Sequence, residues 1–426
     1  MNTDPAAGLR EMVQQARDLA RAGRAQDAVL AWRRILGVDS THVEALVALG
    51  SDALGKADAA SALPHFQRAA RVATRDPMIE LYVALAHRQL GNVAEESDAI
   101  GRALAIDPHF YPALLHRGTL LERLGKRRQA ARVFRDVLKI MPERERLAPS
   151  FRRAVDHAQA AVQENQDSLA RFLEERLSPL RNRHGGTRLG RFEETVEVLV
   201  GHRKRYSPEP VMLHFAQLPP LQFYDDELFP WLAELEAATE SIRDECIAAL
   251  STQQAEFNPY IQYPPDAPLN QWRELNHSPR WTTYFLWKNG GRVEANCEHC
   301  PRTAAIADSL PLARIPNFAP NVLYSALEPR TVIPPHTGDT NARLIVHLPL
   351  ILPPGCTFRV GNDTRPWRYG KAWVFDDSIE HEARNDSDET RVQLMLDVWN
   401  PYLSPAEREL VAGLLNTVRD YYQADA

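Results

Sequence analysis

The sequence has few cysteines and no long apolar run, and both absences narrow what the chain can be. Four cysteines among 426 residues are too few for the disulfide framework of a small secreted domain. No stretch of about 18 apolar residues occurs, so we expect no membrane span. No apolar signal segment follows Met1. Together these features predict a protein of the reducing cytoplasm.

Neither positive nor negative charge is in large excess. The formal net charge is −6 and the pI is about 6.2, which does not favour binding to nucleic acid or to an anionic membrane. Hydrophobic residues make up 44% and charged residues 25%, as is usual for a globular protein. The length exceeds that of one typical domain, so two or more are expected.

The first part of the chain contains a repeat of 34 residues. Large apolar residues recur at this spacing, namely Trp32, Phe66, Ile100 and Phe134. Small residues recur at the same spacing, namely Gly50, Ala84 and Gly118. A small residue lets two helices approach closely, and a large one fills the space beside it.

This pattern resembles the tetratricopeptide repeat, in three to four copies over residues 8–142. Such repeats stack into a solenoid whose concave face commonly binds a peptide or a protein. We predict a repeat domain over residues 1–146, then a capping helix and linker over 147–190. The linker is the basic, glycine-containing segment "RNRHGGTRLG" at residues 181–190. An irregular helical bundle is the alternative for the first part.

The composition changes after about residue 190, where proline, aromatic and β-branched residues become frequent. One long helix is predicted over 226–251, with Asp225 or Asp226 at its start. Short strand-like runs follow, namely "NVLYSALE", "TVIPPH", "RLIVHLPLIL", "TFRVGN", "AWVFDD", "HEARN" and "RVQLMLDVWN". Because they lack intervening helices, they favour an antiparallel sandwich or barrel over residues 191–426, with a jelly roll as the best single prediction.

Polar residues cluster within these strand-like runs. His336 follows two prolines, His381 lies in "FDDSIEHEARND", and Arg391 begins the last strand. Two histidines on different strands of a barrel can meet at its mouth, where imidazoles suit iron, zinc or copper. A buried arginine offers a two-pronged contact for a carboxylate. From spacing alone, hydrogen-bonded structural histidines are the more common interpretation.

The stretch from Trp281 to Pro401 resembles the aspartyl/asparaginyl β-hydroxylase family. The specific pieces are "HTG" with "NARL" and "HLPL", "GK" with "FDDSIEHE", and "DVWNP" after an arginine-led strand. The resemblance implies a double-stranded β-helix, a jelly-roll or cupin-like fold with flanking helices. The whole chain is thus predicted to be a multidomain α + β protein.

The resemblance also implies an Fe(II)- and 2-oxoglutarate-dependent dioxygenase that uses O2. His336 and His381 match the iron-binding histidines of the family. Many related oxygenases add a carboxylate two residues after the first histidine, where this sequence has Gly338. The resemblance therefore implies an iron centre with only two protein ligands.

Other residues match the family's cosubstrate and substrate sites. Arg391 matches the arginine that pairs with the distal carboxylate of 2-oxoglutarate, and Ser325 matches a serine that binds the same group. His347 matches a histidine beside the cosubstrate, with a satisfied core histidine as the alternative. Trp281 matches a residue of the substrate cleft, with a core aromatic as the alternative. Arg343 is a candidate for binding a substrate carboxylate.

Two departures from the family leave the substrate open. Ile345 stands where relatives that act on protein aspartyl residues carry an arginine, and Asn400 replaces a histidine. The leading hypothesis is hydroxylation of the β-carbon of Asp or Asn in a peptide or protein, with the repeats binding substrate or partner. The alternatives are the same chemistry on a small-molecule or lipid-linked substrate, and a non-catalytic repeat protein.

Overall fold

The computed structural model describes residues 5–185 and 189–423. The chain divides into two compact units, Met1–His202 and Arg203–Ala426, called unit 1 and unit 2 below. The predicted linker at 181–190 includes residues 186–188, which lie outside the described residues. The domain limits at 146 and 190 stay predictions.

Unit 1 consists of helices joined by short turns. Its helices are α1 (Pro5–Arg21), α2 (Ala25–Val38), α3 (Val43–Gly55), α4 (Ala59–Val72), α5 (Pro77–Leu90), α6 (Val93–Ile106), α7 (Tyr111–Arg123), α8 (Arg127–Ile140), α9 (Pro149–Arg183) and α10 (Gly190–Val200). The first eight form four successive helical hairpins, in which each odd-numbered helix packs on the next. This arrangement confirms the predicted helical repeat array.

The small and large residues of the repeat meet inside these hairpins. A Cβ added to Gly50 of α3 would lie 2.6 Å from the ring of Phe66 on α4. In the fourth hairpin, a Cβ at Gly118 would overlap the ring of Phe134. Both rings are buried. The 34-residue periodicity therefore encodes one packing contact, in which an aromatic ring rests on the backbone of the preceding helix.

Unit 2 contains two antiparallel sheets. Its strands are β1 (Phe223–Tyr224), β2 (Asn258–Pro259), β3 (Trp281–Lys288), β4 (Gly291–Arg292), β5 (Val322–Leu327), β6 (Thr331–His336), β7 (Arg343–Ile351), β8 (Cys356–Val360), β9 (Asp363–Pro366), β10 (Trp373–Phe375), β11 (His381–Asn385) and β12 (Arg391–Trp399). The large sheet has the order β1-β10-β7-β12-β5-β3-β2, with β4 paired to β3. The small sheet has the order β6-β11-β8-β9.

Helices flank the large sheet. They are α11 (Leu232–Ala237), α12 (Thr239–Thr252), α13 (Glu294–His299), α14 (Pro301–Ser309) and the C-terminal α15 (Pro405–Gln423). The single helix predicted over 226–251 is wrong. A short 3-10 turn at Asp226–Leu228 precedes α11, and α12 begins separately at Thr239. Pro230, which lacks a backbone N–H and disfavours helix before it, separates the turn from α11.

Alternation along β12 places one of its faces in an apolar core. Val392, Leu394, Leu396 and Val398 pack with residues of α11, α12 and α14 in one apolar cluster. A second cluster joins the large sheet to the small one, with Trp281 and Phe375 from the former and Phe358 from the latter. Unit 2 is therefore an α + β unit with a two-sheet β core, as predicted. The jelly-roll assignment stays a prediction.

No helix in the described ranges 5–185 and 189–423 is long and apolar enough to cross a membrane.

The glycine contact in the fourth hairpin makes a stability prediction. Gly118→Ala places a methyl group against a rigid buried ring, so we expect the free energy of unfolding of unit 1 to fall by about 1–3 kcal/mol. Gly101→Ala on α6 is the matched control, since nothing lies within 4 Å of the added Cβ. Its better helix propensity is expected to raise stability by up to about 1 kcal/mol. Urea unfolding followed by helical circular dichroism measures both, and equal effects would contradict the packing argument.

Candidate active site

A cavity of about 500 Å³ lies between the two sheets of unit 2. Alternate residues of β7 and β12 face it, because side chains on a strand point to opposite faces in turn. The lining residues from these two strands are Arg343, Ile345, His347, Arg391, Gln393 and Met395. His336 and His381 enter from the small sheet, and Ser325 and Trp281 from the large sheet. All seven site residues predicted from the sequence therefore line one pocket.

The two predicted metal-binding histidines are neighbours across β6 and β11. His336 and His381 are opposite each other in the strand register, and their ring centroids are 4.1 Å apart. Nδ1 of His336 lies 2.8 Å from the carbonyl oxygen of Pro334, and Nδ1 of His381 lies 3.0 Å from that of Ile379. Each Nδ1–H therefore donates to a backbone carbonyl, which leaves Nε2 of each ring with a free lone pair.

Burial keeps both rings neutral near pH 7. It lowers the pKa of His336 to about 4, partly offset by the hydrogen bond to Pro334. Burial also lowers the pKa of His381 well below its ordinary value, and His336 adds to this effect. Neutral imidazoles with free Nε2 atoms are the form in which histidine binds a metal ion.

Arg391 is a buried cation without a partner. Its side chain is completely inaccessible, and neither Nε, Nη1 nor Nη2 has a hydrogen-bond partner among the described residues. Its guanidinium lies 4.7 Å from the ring centroid of Trp367. Burial lowers the pKa of Arg391 to about 10. A buried guanidinium with free donors is suited to receive a carboxylate from a ligand.

His347 and Ser325 lie on the wall around this arginine. Both ring nitrogens of His347 lack a partner among the described residues, so the ring is not a hydrogen-bonded core histidine. Its centroid is 4.7 Å from that of Phe375. Oγ of Ser325 accepts a hydrogen bond of 3.0 Å from Nε1 of Trp281. Trp281 thus belongs both to the pocket wall and to the apolar core.

Arg343 is already paired with two carboxylates. Nη1 donates to Asp397 and Nη2 donates to Asp377, each at 2.7 Å, and only Nε lacks a partner among the described residues. These two aspartates raise the pKa of Arg343 against the effect of burial. Burial raises the pKa of Asp377 to about 7, which Arg343 opposes. The guanidinium therefore serves a buried ion cluster, and its predicted binding of a substrate carboxylate stays a prediction.

Gly338 has no space for a side chain. A Cβ at this position would overlap the carboxylate of Asp377, while its backbone N–H donates to the carbonyl of Asp377 at 2.6 Å. The space that a side chain at residue 338 would need is thus occupied by the carboxylate of Asp377, which is paired with Arg343.

The two departures from the family pattern lie in different environments. Ile345 lines the pocket between Arg343 and His347 on β7. Asn400 is fully buried, and its Nδ2 donates to the hydroxyl of Tyr224 and the carbonyl of Asn341, each at 3.0 Å. Only Ile345 is therefore placed to contact a molecule in the pocket, since Asn400 connects chain segments.

Sequence reasoning missed several residues around these groups. Asp377, Gln393 and Trp272 line the pocket, and the ring of Trp272 lies 4.8 Å from that of His336. Trp367 covers Arg391. The acidic pair just before His381 was a usable signal for Asp377. The tryptophans gave no signal, because their positions depend on tertiary packing.

The donor set fits a metal ion held by two imidazoles. Among the residues that the structure describes, no group of three or more histidine, cysteine, aspartate or glutamate side chains is arranged to hold a metal. Two neutral histidines with free Nε2 atoms, beside an unpartnered guanidinium, instead suit a metal that takes its remaining ligands from small molecules. Gly338 agrees with this interpretation, because a glycine cannot supply a third protein ligand to the metal.

Unit 2 combines two sheets with a histidine pair and a buried arginine, and helical-hairpin repeats precede it in the chain. The similarity of the chain to known proteins agrees with this arrangement. A family model described as aspartyl/asparaginyl beta-hydroxylase matches residues 236–401. Human aspartyl/asparaginyl beta-hydroxylase is 34% identical over 181 residues, which are 42% of this chain and 22% of that protein. The ornithine lipid ester-linked acyl 2-hydroxylase of Rhizobium tropici is 35% identical over 201 residues, 46% of this chain and 67% of that protein.

The chain belongs to the aspartyl/asparaginyl β-hydroxylase family. It spans about a fifth of the length of the human relative. Among solved structures, a tetratricopeptide-repeat protein of Thermus thermophilus is 16% identical, covers 46% of this chain and 97% of its own, and has a TM-score of 0.31.

Arg391 provides a test of the site that does not depend on activity. Replacing a buried, unpartnered cation by an apolar side chain of similar length removes a desolvation cost, so Arg391→Met is expected to stabilise the ligand-free protein by about 1–3 kcal/mol. If the pocket binds 2-oxoglutarate, as the resemblance of the sequence implies, the same change is expected to abolish that binding in calorimetry. Val332→Met, on β6, is a control for the added methionine. A destabilised variant that still binds 2-oxoglutarate would contradict this account of the pocket.

Proposed function

We propose that unit 2 is an Fe(II)- and 2-oxoglutarate-dependent dioxygenase that hydroxylates a side chain of a peptide or protein substrate. The observation that carries this proposal is the juxtaposition of two free Nε2 atoms, on His336 and His381, with the unpartnered guanidinium of Arg391 in one pocket. The membership in a hydroxylase family supports the same chemistry. The four cysteines are free and buried, and the cytoplasmic location stays a prediction.

In this proposal His336 and His381 hold the iron through Nε2. When bound, iron with 2-oxoglutarate and O2 supplies the oxidising power that converts a C–H bond to C–OH, with release of succinate and CO2. The carbonyls of Pro334 and Ile379 keep each proton on Nδ1 and fix the ring orientation. The protein thus presents the ligands already neutral and oriented.

Arg391 binds the distal carboxylate of 2-oxoglutarate in this scheme, and Ser325 contributes its hydroxyl. Pairing with a carboxylate would satisfy the guanidinium donors that the free protein leaves unmatched. Trp367, Phe358 and Phe375 surround this end of the pocket and exclude water from it. In such an apolar setting, each charged contact to the cosubstrate is stronger than in water.

Two substrate classes remain candidates. The family and the name of the human relative support the side chain of Asp or Asn in a peptide or protein. The relative from Rhizobium tropici, of which this chain covers 67%, is named for hydroxylation of a lipid-linked acyl group, and it supports a lipid-linked or small-molecule substrate. A non-catalytic repeat protein is disfavoured, because it gives no reason for a buried guanidinium without an anion.

Unit 1 offers a groove for a partner or for the substrate protein. It lies between α8, α9 and α10, and its apolar wall includes Leu169, Phe172 and Leu199. Arg128, Arg132 and Arg135 of α8 line the same groove, and the described residues give them no ion pair or hydrogen bond. Exposed apolar side chains beside unpaired arginines suit an acidic peptide segment with a large apolar anchor.

The metal-binding role predicts loss of turnover when either histidine is removed. His336→Ala and His381→Ala are each expected to lower Fe(II)-dependent succinate release from 2-oxoglutarate by at least about 100-fold, because one ligand cannot hold the ion. His299→Ala, at an exposed histidine of α13, is the control and is expected to keep full turnover. Unchanged turnover in both variants, or no iron-dependent turnover in the native protein, would rule out the proposal.

The groove in unit 1 predicts charge-selective peptide binding. A fluorescein-labelled glutamate-rich peptide with one phenylalanine is expected to bind, and Arg132→Glu is expected to weaken binding by roughly tenfold through like-charge repulsion. Arg34→Glu on α2 makes the same charge change at another exposed position and is expected to have little effect. Fluorescence anisotropy measures both. Equal weakening by the two variants would show non-specific attraction instead of a groove.

A further inference from the structure

We propose that the group which reacts in the pocket of unit 2 is uncharged, so that an asparaginyl amide or an aliphatic chain is accepted and an aspartyl carboxylate is rejected. This inference rests on the proposed function and concerns the substrate of the same site. It follows from the charged side chains that line the pocket and from the partner with which each of them is already paired.

The pocket has two cationic side chains, and neither is left for a substrate carboxylate. Arg391 is taken by the distal carboxylate of 2-oxoglutarate in the proposed function. Arg343 donates to Asp377 and Asp397 through separate nitrogens at 2.7 Å. His336 and His381 hold the metal through Nε2 in the proposed function, and His347 lies buried on the wall beside Phe358 and Phe375.

The remaining charges near Arg343 are negative. Asp377 and Asp339 both line the pocket, and Asp397 lies behind Arg343. One guanidinium therefore faces three carboxyl groups, of which that of Asp377 is only partly ionised near pH 7 because burial raises its pKa to about 7. Arg391 and a divalent ion carry three positive charges against the two negative charges of 2-oxoglutarate, which leaves one. Arg343 with Asp339 and Asp397 carries a net charge of −1 even when Asp377 is protonated, so the pocket as a whole holds no surplus positive charge.

A substrate carboxylate would lose its hydration here without gaining a cation. Burying an ion is unfavourable unless an opposite charge and hydrogen bonds replace the water. Nε of Arg343 is the one guanidinium nitrogen of that residue without a partner among the described residues, and the positive charge of the group is already offset by Asp377 and Asp397. The wall that receives the substrate thus selects against an anion.

The same wall offers contacts to an uncharged group. Ile345 occupies the strand position between Arg343 and His347, and Met212, Phe318 and Met395 add apolar surface. Asn289 also lines the pocket, whereas the amide of Asn321 already donates to Asp397 and to the carbonyl of Phe318. An amide or an alkyl chain can be buried against such a surface without an unpaired charge.

Binding tests this inference separately from turnover. The full-length protein is loaded with Mn(II) and 2-oxoglutarate, and calorimetry measures three probes: a peptide with a central Asn, the same peptide with Asp, and an uncharged medium-chain N-acyl amide. We expect at least one uncharged probe to bind roughly tenfold or more tightly than the Asp peptide. The two uncharged probes distinguish a peptide amide from an acyl source.

The outcomes separate this inference from the proposed function. If 2-oxoglutarate itself does not bind with Mn(II), the proposed function fails. If it binds, and the Asp peptide then binds as tightly as the uncharged probes or no uncharged probe binds, the inference is overturned. Mass spectrometry of the products of the Fe(II) enzyme gives a second readout. A larger amount of hydroxylated aspartyl product than of asparaginyl or acyl product would also overturn the inference.

Ile345 allows the selectivity to be reversed. Ile345→Lys adds a cation between Arg343 and His347, so we expect binding of the Asp peptide to tighten by roughly tenfold. Ile345→Met is the matched control for side-chain length, and because it adds no charge it is not expected to tighten binding of the Asp peptide. Mn(II)-dependent 2-oxoglutarate binding verifies that both variants fold. Equal responses of the two variants would exclude charge as the cause.

Discussion

The buried ion cluster around Arg343 is the constraint on which the geometry of the candidate site depends. Arg343 leaves β7 of the large sheet and bonds Asp397 on β12 and Asp377 in the segment before β11. Asp377 in turn accepts the backbone N–H of Gly338, two residues after His336. The cluster therefore ties both histidine-bearing segments of the small sheet to the large sheet, and it fixes where the imidazoles meet.

Such a cluster is sensitive to the loss of one member. Removing a single partner from a buried ion pair leaves an uncompensated charge, which is far more destabilising than the pair itself is stabilising. The absence of a side chain at Gly338 belongs to the same arrangement, since the carboxylate of Asp377 occupies that space. The two-histidine donor set is thus a consequence of packing as well as of residue identity.

The sequence predicted the β elements of the site well because their pattern is local. The runs "TVIPPH" and "HEARN" coincide with β6 and β11, and the period-two alternation of β12 correctly separates its core face from its pocket face. The repeat spacing likewise identified the helical hairpins. Local pattern was enough wherever the periodicity of one element decided which side is buried.

What the sequence could not provide was charge pairing between distant positions. Arg343 was predicted to bind substrate, yet its partners Asp377 and Asp397 lie on other elements and are visible only in the fold. Strand β3 was also missed as a strand, because burial on both faces hides the alternation. Asn400 looked like a substrate determinant until its contacts showed that it bridges Tyr224 and Asn341.

The two pocket arginines show how one residue type takes opposite states in one cavity. Arg343 is matched by carboxylates of its own chain, which raise its pKa, whereas Arg391 has none and burial lowers its pKa to about 10. A protein gains no stability from an unmatched buried cation, so its presence is best explained by an anion that arrives from outside. In the proposed function, the unsatisfied Arg391 therefore binds the cosubstrate carboxylate, whereas Arg343, which the fold already satisfies, is not available to bind a second anion.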